Sequence, residues 1–65
     1  MSKYFLQFTL IADNQEQFRV ALFEDGESIM PPGFSYFPFG CKNNLVELVM
    51  ILVDDENLEI QDLTV

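Results

Sequence analysis

The chain has 65 residues, 49% of them hydrophobic, and carries eleven acids against three bases, a formal net charge of −8. That length predicts one domain, 1–65, close to the smallest size at which a single core folds alone. No histidine and only Cys41 exclude an internal disulfide, a Cys/His zinc site and catalysis by a histidine base.

Residues 3–12 alternate as a strand does, with Tyr4, Leu6, Phe8 and Leu10 on one face and Phe5, Gln7, Thr9 and Ile11 on the other. Asp13-Asn14-Gln15 reads as a turn, because short polar side chains bond their own backbone there. Residues 16–24 carry two patterns. Asp13 followed by Glu16 resembles a helix capping box, but Phe18, Val20, Leu22 and Phe23 spread around a helical wheel while Phe18, Val20 and Leu22 share one strand face, so a strand is expected. Asp25-Gly26 is a hairpin signal, since both residues accept the positive φ of a type I′ turn. A short strand through Ser28, Ile29 and Met30 follows, and Pro31-Pro32-Gly33 ends it.

Residues 34–40 place four aromatics around Pro38. They read as an edge strand, with Phe34, Tyr36 and Pro38 outward and Ser35, Phe37 and Phe39 inward, or as an aromatic loop over the core. The rings complete a small core, or Phe34, Tyr36 and Phe37 anchor a partner. Residues 45–53, apolar except at Glu47, need protein against both faces and predict the centre of the core or a seam between subunits. Asn44 and Glu47 suit the start of a helix with Leu45, Leu48, Val49 and Leu52 inward. Three acids at its C-terminal end oppose the helix dipole, and Val46, Val49, Ile51 and Val53 are β-branched, so a strand is preferred. Residues 54–57 then form a hairpin loop, and 58–65 a last strand with a bulge or frayed end near Asp62. The fold class expected is mainly β, a small antiparallel sheet or barrel of about five strands. The alternative is α+β with a helix at 14–25 or 44–53.

Carboxylate pairs such as Asp54 with Glu56, or Glu47 with Glu59, lack an evident pocket to raise a pKa, so no enzyme is expected. Asp54-Asp55-Glu56-Asn57 lacks the spacing of a calcium loop, and no metal or cofactor is expected. Cys41 reads as a small buried hydrophobe. No apolar run approaches the roughly 18 residues of a membrane span, the first six residues do not resemble a signal peptide, and an unpaired cysteine suits the cytoplasm.

Six acids and no base occupy residues 43–65. Direct binding to nucleic acid or an anionic membrane is therefore rejected, and a larger protein with a basic surface is the expected partner. Asp54, Asp55, Glu56, Glu59 and Asp62 are the candidate contacts, joined by Phe34, Tyr36 and Phe37. The function expected is that of a small regulatory or inhibitory protein, able to stand in for nucleic acid on a basic site. The alternative is a homo-oligomeric accessory subunit whose acids only keep it soluble, and self-association is expected of so small a core.

Overall fold

In the computed structural model, which describes residues 3–31, 33 and 35–65, the alternating N-terminal segment forms β1 (Tyr4–Ile11). The second segment forms the strand β2 (Asn14–Glu24), not the alternative helix at 14–25. They pair antiparallel with Leu6 opposite Leu22 and Phe8 opposite Val20. The register slips between Leu10 and Ile11, where the chain turns through Ala12 and Asp13. The Asn14 carboxamide then accepts the Glu16 N–H at 2.9 Å, as a turn-forming side chain does.

At the hairpin, Asp25 and Gly26 adopt φ of 51° and 86°, the positive values that a type I′ turn requires. The strand after it, β3 (Glu27–Ser28), is shorter than the alternation suggested. Ile29 still donates its N–H to Leu22 at 2.8 Å. Of the aromatic segment, Tyr36–Pro38 forms β4, antiparallel to β2 with Phe37 opposite Phe18. Tyr36 and Pro38 face out, while Phe37 and Phe39 pack on the core. Pro32 and Phe34 lie outside the described residues.

Residues 45–53 are helical, the alternative reading and not the preferred strand. After a 3-10 turn at Phe39–Cys41, the helix α1 runs Lys42–Val53. It starts two residues before Asn44, which is exposed in its first turn. The reason lies in the sheet. Leu6, Phe8, Phe18 and Val20 line one face, each at most 1% exposed, and Leu45 and Val49, one turn apart on α1, close over them with Leu58. Covering that face outweighs the β preference of four branched side chains, because strand propensity is mostly a matter of packing context.

After a turn at 54–58 the chain enters β5 (Glu59–Asp62), which pairs parallel to β1, with Leu6 opposite Ile60. The sheet is therefore mixed, in the order β3-β2-β1-β5 with β4 also on β2, and it is not closed into a barrel. Residues 54–57, expected to join two hairpin strands, instead end the helix and lead into a parallel strand. A helix is the usual way to make that crossover. The architecture is mainly β, five strands with one helix laid across one face.

The opposite sheet face has no such cover from α1. Phe5 and Phe23 meet there across the strands with ring centres 6.1 Å apart, and Gln7 donates to the Gln61 carboxamide at 2.7 Å. Leu10, next to the last residue of β1, is 64% exposed although it alternates in phase with the buried Leu6 and Phe8.

Candidate functional site

The two ends of α1 decide where the acidic side chains can act. At the N-terminal end, Lys42 reaches back to the end of β5 and holds the Asp62 carboxylate at 2.9 Å. It also donates to the Thr64 hydroxyl. The Thr64 backbone N–H and hydroxyl both donate to the other Asp62 oxygen. The ammonium stands 5.3 to 5.8 Å from the ring centres of Phe39, Phe18 and Phe8, within reach of a cation–π attraction. The Thr64 hydroxyl first, and then the Lys42 ammonium, hold the Asp62 carboxyl below the usual carboxylate range against the opposing effect of partial burial. Asp62 is thus engaged in joining β5 to the helix start.

The C-terminal end is built differently. Asp54 takes the left-handed conformation, φ 52° and ψ 46°, and donates its N–H to the Ile51 carbonyl, while Asp55 donates to the Met50 carbonyl, both at 3.2 Å. That pair of bonds is the Schellman helix stop. Glycine ordinarily fills its left-handed position, and an apolar residue often follows. Here both are aspartates, at the negative end of the helix dipole. Asp55 also accepts the Asn57 N–H at 2.8 Å. With Glu47 and Glu56, which are exposed, these residues surround Met50 and Ile51 in a surface groove of about 420 Å³.

Beside the groove lies an apolar stripe. Leu48, Ile51 and Leu52, at i, i+3 and i+4 on the outer side of α1, are 51%, 76% and 73% exposed. Adjacent exposed aliphatics of this kind are more informative than isolated ones. Of the three bases, Lys42 is engaged with Asp62, Lys3 lies 3.7 Å from Glu24, and Arg19 stands opposite Tyr36 on the sheet. Among the described residues no ion pair joins Glu47, Asp54 or Glu56 to a base.

The fold brings Asp54, Asp55 and Glu56 together with Glu47. Glu59 is exposed on β5, in register with Phe5 on the sheet face opposite α1. Tyr36 is exposed on β4, whereas Phe37 packs against the core. Phe34 lies outside the described residues. Cys41, expected to be buried, is exposed at the start of α1, because the helix turns Leu45 and not Cys41 toward the sheet. Sequence reasoning did not single out Leu48, Ile51 and Leu52 as surface residues. The helical reading placed Leu48 and Leu52 inward with Leu45 and Val49, whereas the structure turns Leu45, Val46, Val49, Met50 and Val53 toward the core and leaves Leu48 and Leu52 exposed.

No group of His, Cys, Asp and Glu among the described residues has the arrangement to hold a metal ion, and no helix there is long and apolar enough to cross a membrane. Set against protein-family models, curated proteins and solved structures, the chain matches none.

Proposed function

We propose that the protein acts stoichiometrically and without catalysis, as a small regulatory or inhibitory protein that binds a basic surface of a larger protein. The contact surface is the acidic turn at the end of α1, with Glu47, Asp54, Asp55 and Glu56, together with the exposed stripe Leu48, Ile51 and Leu52. One observation carries this reading: the helix ends on a glycine-type stop filled by two aspartates, beside aliphatic side chains left in water. The negative charge at the negative end of the dipole and the aliphatics left in water each cost stability in the free chain, and both costs are reduced by a partner that is cationic and apolar. Where the basic surface normally holds nucleic acid, the carboxylates take the place of phosphates. An unpaired, exposed cysteine suits a reducing compartment, the cytoplasm.

The exposed stripe also favours a second reading, an accessory subunit that self-associates through α1. Affinity capture from the source cell separates the two when done with the wild type and with an Asp54→Asn/Asp55→Asn/Glu56→Gln variant, at low and high salt. The proposed function predicts a basic protein captured in a fixed ratio, released by salt and missed by the variant. Capture that survives both treatments, or a salt-insensitive homodimer with no partner, contradicts it.

A further inference from the structure

We infer that the groove at the end of α1 receives the side chain of a lysine or arginine from a cationic amphipathic helix of the partner, while apolar residues of that helix cover Leu48 and Leu52. The inference rests on the proposed partner binding and names the chemistry that the site would select. Its lining combines the apolar Met50 and Ile51 with the acidic Glu47, Asp54, Asp55 and Glu56. A long cationic side chain has the matching profile, an aliphatic stem ending in a charged head. The volume of about 420 Å³ falls at the small end of the roughly 300–1,000 Å³ typical of ligand sites, room for a side chain at the surface. Met50 adds an adaptable, polarisable contact of the kind found on surfaces that bind helices.

A helix is the partner shape that the stripe selects. Leu48, Ile51 and Leu52 form a ridge one turn long, the pattern that another helix packs against. Leu48 lies five positions before Val53, the last residue of α1, so a partner helix lying along α1 needs its apolar residues and its cation roughly 8 Å apart, about one and a half turns. A second copy fits this site poorly. The one cation on α1 is Lys42, already closed in by Asp62 and Thr64, and each copy would bring the same carboxylates and a net charge of −8.

The test is a titration of ¹⁵N-labelled protein with a synthetic amphipathic helical peptide that has leucines on one face and lysines bordering it. Its counterpart has glutamine in place of each lysine. The expected result is amide shifts confined to α1 and residues 54–57, with affinity reduced at least about tenfold for the glutamine peptide and on raising salt from roughly 0.05 to 0.5 M. Leu48→Gln/Leu52→Gln, at exposed positions, is expected to stay folded and to lose the lysine peptide about as far. Equal binding of the glutamine peptide, shifts centred elsewhere, or undiminished binding by the leucine variant would overturn the inference, the last because it would reduce binding to unspecific attraction of opposite charges. Shifts of the same α1 amides on simple concentration of the protein would overturn it in favour of a second copy. If the lysine peptide fails while capture of a basic protein still depends on Asp54, Asp55 and Glu56, the inference falls and the proposed function stands.

Discussion

At its N-terminal end α1 carries a cation enclosed by a carboxylate, a hydroxyl and three phenyl rings. At its C-terminal end it carries aspartates in a helix stop, beside a groove lined by acidic and apolar residues. The first end satisfies most preferences of a small fold, in that the charge is paired, the chain end is tied down and the rings are covered, although Lys42 itself sits at the positive end of the helix dipole and Cys41 supplies no side-chain cap. The second runs against two of them, the helix dipole and the preference for glycine in the left-handed position. A chain this short has only about 3 to 10 kcal/mol of stability to work with. Features that oppose folding are therefore best understood through what they offer to something outside the chain.

Substitutions at the two ends sharpen that contrast, and the largest effect belongs to the packed end. Phe18 is fully buried and its ring lies 5.0 Å from Phe8 and 5.4 Å from Phe39. Phe18→Ala is expected to cost about 3–5 kcal/mol, a large part of the whole stability, so urea titration followed by circular dichroism should show the transition moved to far lower urea or lost. Lys42→Met keeps much of the stem but removes the ammonium. It should lower stability by about 1–2 kcal/mol, between the value of a surface ion pair and that of a charged hydrogen bond, visible as a lower urea midpoint with an unchanged slope.

The same end sets a pH dependence. Because the Asp62 carboxyl is held below its ordinary value in the folded chain, its contribution is complete above the unfolded value of about 3.9 and is lost as pH falls through the lower folded one. The stability gap between wild type and Asp62→Asn should accordingly be full near pH 6 and close progressively below about pH 4. A gap that widened in acid would mean that the carboxyl is not stabilised in its charged form.

At the other end the expected changes are smaller, and one has the opposite sign. Asp54→Gly removes a side chain from a left-handed position and a charge from the negative end of the dipole, so it should raise stability by about 0.5–1 kcal/mol in urea denaturation while weakening partner binding. Ile51→Gln, at a position 76% exposed, should change stability by less than about 0.5 kcal/mol yet reduce binding. A large loss of stability would mean that Ile51 packs within the fold.

Much of this architecture is legible in the sequence where one pattern acts alone. The alternation of residues 4–10 yields β1, Asp25-Gly26 yields the hairpin, and Phe37 and Phe39 turn inward around Pro38. Residues 45–53 are ambiguous because nearly every side chain is apolar, so helical and strand spacing are both satisfied. The deciding factor is remote in sequence: the face made by Leu6, Phe8, Phe18 and Val20 requires a cover. Assuming that every apolar side chain in the run must be buried favoured a strand, whereas the fold leaves Leu48, Ile51 and Leu52 outside. The acidic turn was legible as a cluster of charge. That Asp62 would leave the cluster for Lys42 was not, since the two lie twenty residues apart and meet only through the crossover.

Urea denaturation of the Glu47→Gln/Asp54→Asn/Glu56→Gln variant tests most directly whether these carboxylates serve a partner and not the fold. Asparagine tolerates the left-handed position and Asp55, left in place, still accepts the Asn57 N–H, so the helix stop is preserved while charge is removed. The unfolding free energy should equal or exceed that of the wild type. A loss as large as that caused by Lys42→Met would show that the acids at this end hold the structure together, and would contradict the account.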